Sequence, residues 1–145
     1  MFSKATEYAL RATIYLAQKS SEKKKIGIAE IARSIDSPRP FTAKILQALS
    51  KDNMVISSVR GPNGGFYITE KSKKLSAQII LQAMGEEELI EKCVLGLKQC
   101  SEIQPCPMHA QYKTIRKQIK DLFVTKSIRQ LAAEIKDGAI FINNH

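Results

Sequence analysis

The sequence predicts a mostly α-helical protein with one small β-hairpin, and three observations indicate this. Apolar residues recur at helical spacing through most of the 145 residues. A glycine-rich turn at 61–65 separates two short segments of strand composition. All 3 cysteines fall within residues 93–106, where the helical pattern stops. The length suits one domain, or a small domain with an appendage.

Composition places the chain among ordinary globular proteins. Hydrophobic residues make up 43% and charged residues 26%, which excludes a disordered acidic tail. No apolar run approaches the roughly 20 residues that a membrane helix needs, so we expect no membrane partner. The first residues lack the basic and then apolar pattern of a signal peptide. We therefore expect a cytoplasmic protein.

The net charge is +9, and it is unevenly distributed. Residues 1–75 carry 14 basic and 6 acidic side chains, whereas residues 76–145 carry 9 and 8. This asymmetry predicts a basic half that faces a polyanion and a near-neutral half with another task. Nucleic acid is the first candidate and an anionic membrane surface the second. A merely solvated basic surface is the alternative.

Three helices are predicted before the glycine-rich turn. The first covers residues 3–19 with Ser3 as its N-cap, and the second is a short amphipathic helix over 28–35, ended by the prolines of 36–40. In the third helix, four apolar residues are expected to face inward: Phe41, Ile45, Leu46 and Leu49. Its outer face is expected to carry Thr42, Lys44, Gln47 and Lys51. Short helices around a tight turn, with a basic outer face, are typical of a helix-turn-helix.

A hairpin follows these helices, and this order of elements is typical of a winged helix. Residues 54–60 and 66–69 have strand composition, and the turn between them is flexible and sterically open. We expect Arg60 and Asn63 at its tip to approach a phosphate backbone or a minor groove. The major groove would be faced by Arg39, Thr42, Lys44 and Gln47. The glycines also have a purely structural explanation, because they allow the turn to close.

The second half of the chain is predicted to contain a short apolar helix over 75–84, an acidic patch over 86–91, an irregular loop over 93–107 and a longer helix over 108–124. Five residues of the longer helix have the 4, 3, 4, 3 spacing of a heptad pattern: Met108, Tyr112, Ile115, Ile119 and Leu122. The narrow apolar seam favours a two-helix dimer interface over packing on the helix's own domain. One more short helix is expected over 128–135, and the tail from Gly138 to His145 carries no usable signal.

The cysteine spacing is Cys93-x6-Cys100-x5-Cys106-x2-His109. Structural zinc usually takes its ligands in close pairs, and no close pair of thiolates occurs here. Longer spacing suits a larger object such as an iron–sulfur cluster, for which thiolates are the usual ligands. Zinc, redox thiols and a nucleophilic cysteine remain as alternatives, although a nucleophile would need an ordered base and an orienting residue, which the sequence does not indicate.

Three segments resemble the IscR/NsrR-type winged-helix iron–sulfur transcription regulators of the Rrf family. They are the opening stretch Glu7–Arg11, the wing Ser57–Phe66 and the loop segment Cys106–His109. The resemblance extends over nearly the whole chain, and the wing and the cysteine loop occur in the family's order. It implies a homodimer that binds a double-stranded DNA operator and senses iron–sulfur status, nitric oxide or redox state.

The resemblance also implies a ligand set. Cys93, Cys100 and Cys106 correspond to cluster ligands. In one branch of the family a histidine at the position of His109 completes a [2Fe–2S] site, and in another an acidic residue at the position of Glu7 does so. Because the Cys106-x2-His109 spacing is local, we favour His109 as the fourth ligand and keep Glu7 as the alternative. With a histidine ligand, the resemblance implies a [2Fe–2S] rather than a [4Fe–4S] cluster.

The recognition helix departs from the pattern of the cluster-biogenesis branch. Where that branch is expected to have Ser and Glu, this chain has Pro40 and Ala43, so the operator of that branch does not carry over. We predict a dimeric repressor or activator, not an enzyme, whose residues 1–75 bind DNA and whose residues 76–145 hold the cluster loop and the dimerisation helix. The rivals are a thiol-based or zinc-stabilised regulator of the same fold, and a small redox enzyme or electron carrier. The last of these would have no use for the basic half or the wing.

Overall fold

The computed structural model describes residues 1–135 and 141–143, and it is mostly helical with one two-stranded antiparallel sheet. The α-helices are α1 Lys4–Lys19, α2 Ile28–Ser34, α3 Arg39–Ser50, α4 Glu70–Lys73, α5 Gln78–Ala83, α6 His109–Thr125 and α7 Ile128–Ala133. The strands are β1 Ser57–Val59 and β2 Gly65–Tyr67, and 3-10 turns cover Lys51–Asn53 and Glu87–Ile90. The predicted fold class, mostly α with a small wing, is confirmed. Gly138 and most of the tail from there to His145 lie outside the described residues.

The main core is built around α1. Its buried face carries Ala9, Ala12 and Leu16, each fully buried, and α1 packs against both α3 and α7. Side chains from beyond residue 75 also enter this core: Ile80, Ile128 and Ala132. The two parts of the chain therefore share one apolar interior. The assignment of separate tasks to residues 1–75 and 76–145 stays a prediction.

The helix-turn-helix has a shorter turn than predicted. α2 ends at Ser34, Asp36 adopts a left-handed conformation with φ of 54°, and α3 already begins at Arg39. Pro40 lies within the first turn of α3 instead of ahead of the helix. Proline is tolerated there because the N–H groups of a helix's first turn have no intrahelical partner.

The wing is a short hairpin attached to the helical core. Ser57 pairs with Tyr67, and Val59 pairs with Gly65. Ile26 extends the ladder, because Ile26 and Phe66 exchange backbone hydrogen bonds of 2.9 and 2.8 Å. A Cβ on Gly65 would lie 2.8 Å from the Ile26 carbonyl oxygen, so only glycine permits this close approach.

The first strand is shorter than the predicted segment 54–60. The backbone N–H groups of Val55 and Ile56 both donate to the Leu49 carbonyl at the end of α3, and both side chains are buried. These residues therefore cap the recognition helix and are not paired in the sheet. α4, capped by Thr69, was not predicted from the sequence.

The second half of the chain contributes a smaller core that anchors α6. Phe123 of α6 packs with Ala77, Leu81 and Ile90, and Ile119 lies against the same cluster. Residues 91–108 form neither helix nor strand, as predicted for the cysteine loop. None of the helices in the described part of the chain combines the length and apolar composition that a membrane span needs.

Candidate nucleic-acid interface and metal centre

The outer face of α3 is polar, basic and open. Arg39, Lys44 and Gln47 are all exposed, as predicted, and their contact with DNA stays a prediction. The helix begins next to the turn, and its opposite face is locked in the core by Ile45, Leu46 and Leu49. This arrangement can present a rigid row of donors to a groove, with basic side chains available for phosphates.

The predicted positions of Thr42 and Phe41 are wrong. Thr42 is fully buried, and its hydroxyl donates to the Pro38 carbonyl at 2.9 Å and meets the Ser37 hydroxyl. Phe41 is 48% exposed. The buried positions of α3 are 42, 45, 46 and 49, which is the i, i+3, i+4, i+7 face, and residue 41 lies about 100° away from it. A threonine can occupy this apolar face because its hydroxyl is satisfied locally, and there it cannot contact DNA.

The opening motif of the chain fixes the helix-turn-helix in place. The Arg11 guanidinium donates to the Ile35 carbonyl at 3.0 Å, in the turn between α2 and α3. The same guanidinium lies 5.5 Å from the centre of the Tyr8 ring, and this ring meets Phe41 edge-on at 6.2 Å. Arg11 and Tyr8, both on α1, therefore help to hold α3 in position.

The wing tip presents Arg60 and Asn63 to solvent, as predicted. The Gly64 N–H donates to the Gly61 carbonyl at 2.9 Å and closes the turn. A Cβ on Gly64 would lie 2.1 Å from the Val59 carbonyl oxygen, so the tight hairpin requires glycine at this position. The structural explanation of the glycines thus holds, and it leaves the two exposed side chains free to meet a polyanion.

The three thiols lie in the irregular loop as free cysteines. Cys93 is buried, and the backbone N–H groups of Leu97 and Leu95, with help from the Cys106 thiol, hold its pKa below the ordinary value. Backbone N–H groups directed at a sulfur favour the thiolate, the form that binds metal. Cys93 and Cys106 therefore form one pair of candidate ligands.

The second pair is Cys100 and His109. The Cys100 sulfur lies 3.3 Å from Nδ1 of His109, whose side chain is buried at the start of α6. Nε2 of His109 lies 3.5 Å from the Glu102 carboxylate and makes no hydrogen bond within the described residues. Glu102 is itself paired with Lys113, and this contact holds the pKa of Glu102 below its usual range. The Glu102 carboxylate thus lies beside one nitrogen of the imidazole, and the other nitrogen faces a thiol.

The four donors stand as two pairs. Among residues 1–135 and 141–143, no three His, Cys, Asp or Glu side chains are near enough to one another to hold a metal ion. The donor set still fits an iron–sulfur cluster by its chemistry, because it combines three thiols with a buried imidazole whose Nδ1 faces one of them. A cluster held by all four donors would require the two pairs to lie closer together than they do here.

The alternative fourth ligand, Glu7, lies on the first turns of α1. Its carboxylate pairs with Lys4 of the same helix at 3.4 Å, and 42% of its side chain is exposed. The contact that joins this end of α1 to the second half of the chain is made by Glu86 instead. Its carboxylate accepts hydrogen bonds from the hydroxyls of Ser3 and Thr6. Partial burial acts to raise the pKa of Glu86, but these hydroxyls outweigh it and hold the pKa below its ordinary value.

The heptad residues of α6 divide into two groups. Met108, Ile115 and Leu122 are 49%, 49% and 52% exposed, and because they lie seven residues apart they form one open stripe. Tyr112 and Ile119 are half-buried, and Ile119 packs on the smaller core. The exposed stripe can contact the same helix of a second copy, whereas Ile119 packs within its own protomer.

Three residues with a part in these sites are not singled out by the sequence: Arg11, Glu86 and Glu102. All three act through contacts that no local spacing reveals. Arg11 contacts a carbonyl 24 residues away, and Glu86 contacts hydroxyls 83 and 80 residues away. The only sequence signal for a role of Arg11 is its place in the Glu7–Arg11 stretch that resembles the family.

The chain is similar to known proteins in sequence and in fold. The model of the Rrf2 family, described as an iron-dependent transcriptional regulator, matches residues 2–134. A protein of Aquifex aeolicus described as an HTH-type transcriptional regulator is 35% identical over 133 residues, 90% of each chain. The structure of CymR, the global cysteine regulator of B. subtilis, matches 94% of this chain and 98% of its own at 18% identity, with a TM-score of 0.72. The structure of T. potens IscR matches 97% and 91% at 15% identity, with a TM-score of 0.70.

These matches agree with the winged helix described above. The family match begins ahead of α1 and ends after α7, so it includes the helix-turn-helix, the wing and the cysteine loop. The relatives are regulators of transcription and not enzymes, which confirms that prediction at the level of class. This chain belongs to the Rrf2 family of transcriptional regulators.

Proposed function

We propose that this regulator's affinity for its DNA operator is controlled by an iron–sulfur cluster, [2Fe–2S] in preference to [4Fe–4S]. The observation that carries the proposal is the donor set of the cysteine loop, in which Cys93 is paired with Cys106 and Cys100 with the buried His109. The family's description as iron-dependent supports it. When bound, the cluster would supply a redox-active centre that responds to oxidants, iron–sulfur status or nitric oxide.

The protein's own part is to hold the cluster and to expose its state. The N–H groups of Leu95 and Leu97 would stabilise the Cys93 thiolate, and Glu102 would orient His109. Because the loop is open to solvent at Leu95 and Leu97, 51% and 52% exposed, small oxidants could reach it.

Glu86 offers a route from the loop to the DNA-binding unit. The 3-10 turn Glu87–Ile90 connects it to the cysteine loop, and its carboxylate holds the first turn of α1 through Ser3 and Thr6. The same helix holds the helix-turn-helix through Arg11. Ordering of the loop around a cluster would thus bias the position of α1, and α1 would bias α3.

The DNA contacts that we propose are the predicted residues that are exposed, so the buried Thr42 is excluded. Arg39, Lys44 and Gln47 would face the major groove, and Arg60 and Asn63 would lie at the minor groove or the backbone. The regulator would act as a homodimer through the α6 stripe, in the cytoplasm, with half-sites about one helical turn apart.

Anaerobic purification tests the cluster directly. We expect visible absorbance from sulfur-to-iron charge transfer, lost on oxidation, and a matching change in affinity for a duplex enriched by selection from random sequences. A colourless protein with stoichiometric zinc, or one whose cluster leaves DNA affinity unchanged, would contradict the proposal.

The fourth ligand is tested with a pair of variants, His109→Ala and Glu7→Ala, reconstituted without oxygen. We expect His109→Ala to change the visible spectrum and shorten the cluster's lifetime, whereas Gln111→Ala on the same helix should not. Loss of the cluster in Glu7→Ala alone would reverse the assignment in favour of Glu7.

A second candidate is a thiol-based regulator without a cluster. The observation that favours it is the lowered pKa of the Cys93 thiol, to which the Cys106 thiol contributes, so these two thiols are the pair that could form a disulfide. With hydrogen peroxide as oxidant, each thiol gives up its hydrogen, one S–S bond forms and the peroxide is reduced to two waters. Colourless protein that loses two hydrogen atoms by mass on peroxide treatment, and changes its DNA affinity at once, would favour this candidate.

A further inference from the structure

Phe41 is a large aromatic side chain on the face of α3 that is expected to meet DNA. It lies in the first turn of the helix and is 48% exposed. Lys44, three residues on along the same face, is exposed and its charge suits a phosphate, and the exposed Pro40 next to Phe41 offers no hydrogen bond from its side chain. This end of the recognition helix therefore combines an apolar patch with flanking positive charge.

The Phe41 ring is held in position by packing against α1. Tyr8 meets it edge-on, with ring centres 6.2 Å apart and planes at 66°. The Tyr8 ring is in turn held by the cations of Lys4 at 5.9 Å and Arg11 at 5.5 Å. Because Arg11 is anchored to the Ile35 carbonyl, the aromatic pair is tied to the helix-turn-helix itself. The open half of Phe41 is thus presented in a defined direction.

We propose that Phe41 determines specificity by contacting the 5-methyl group of a thymine in the major groove. The N-terminal residues of a recognition helix contact base edges, and the thymine methyl is the apolar group that this groove displays. Pro40 would extend the apolar contact, and Lys44, three residues on along the same face, would fix the register on the backbone. This inference rests on DNA binding by the winged helix and is independent of the proposed cluster.

The test replaces the methyl group and leaves the protein intact. A duplex is enriched by selection with the full-length protein from a pool of random sequences, and each dT in it is then replaced in turn by dU. We expect one thymine per half-site at which this change weakens binding about three- to fivefold, the size expected for one buried methyl group. Equal affinity for dT and dU at every position, or no enriched sequence at all, would overturn the proposal.

Variants separate base readout from a structural role. Phe41→Ala should bind the dT and dU duplexes equally, whereas Gln47→Ala should keep the full dT preference at that position. A Phe41→Ala protein that keeps the preference would also overturn the proposal. The ratio is measured with both cluster-free and reconstituted protein, and we expect the same ratio in both. A failure of cluster control would change the overall affinities and leave this ratio in place.

Discussion

Ile115→Glu should separate the proposed dimer into monomers. Fully burying an aliphatic side chain of this size contributes about 1.5–3 kcal/mol. Because Ile115 is 49% exposed in one protomer, roughly half of this, about 1 kcal/mol per copy, is left for a partner to provide. The two copies together lose about 2 kcal/mol, and the two unpaired, partly desolvated glutamates cost about 1 kcal/mol each in addition. The dissociation constant should therefore rise roughly 1,000-fold.

Sedimentation equilibrium over a wide range of protein concentration measures this change. Ile115 is the right position because Ile119, although in the same heptad pattern, packs on the protein's own smaller core, so its substitution would disturb folding. Thr114→Glu is the matched control, since Thr114 is exposed on the same helix but about 100° away from the stripe. If Ile115→Glu dimerises as tightly as the Thr114→Glu control, the stripe is not the dimer seam.

Three further substitutions test other parts of the structure. Arg60→Ala should weaken operator binding by about 1–3 kcal/mol and lower the salt dependence by about one phosphate contact, and unchanged affinity in a mobility-shift titration would refute the placement of the wing. Arg11→Ala should lower the free energy of unfolding in urea by about 2 kcal/mol, because the Ile35 carbonyl loses a charged donor, and a negligible loss would show that solvent replaces it. Glu86→Gln should destabilise the protein by about 1 kcal/mol at neutral pH, since its carboxylate is partly exposed to water. The folded state lowers the pKa of Glu86, so this stabilisation should be present above the unfolded pKa and vanish as pH falls through the folded value, and a pH-independent difference in unfolding would refute it.

The helices and the wing could be predicted because their signals are local. Ser3 does cap α1 by accepting a hydrogen bond from the Thr6 N–H, and the turn around Gly64 does close as its composition indicates. Side-chain polarity places Thr42 outside and Phe41 inside, but the helical geometry of α3 puts position 42 on the buried face and position 41 beside it. The threonine hydroxyl is satisfied by the Pro38 carbonyl, so its burial costs little, and the phenylalanine is left outside.

The sequence predicts where the irregular cysteine loop lies, but it does not predict which side chains of the loop contact one another. Spacing makes Cys106 and His109 neighbours, and their backbones are hydrogen-bonded at 3.0 Å. The thiol that faces the imidazole is nevertheless that of Cys100, and the carboxylate beside Nε2 is that of Glu102. Which side chains meet inside an irregular loop depends on how its backbone folds back, and no periodic pattern records this.

Because both halves of the chain contribute to one core, cleavage of the backbone between them should not separate them. Ile128 and Ala132 pack in the same core as α1, although the exposed cysteine loop separates them along the sequence. A protease that cut after the exposed Lys98 would therefore release no domain, because the two fragments would stay joined without a covalent link. We therefore expect the two fragments on either side of Lys98, when they are produced separately, to associate into the folded protein. The break would lie within the cysteine loop, the segment proposed to hold the cluster.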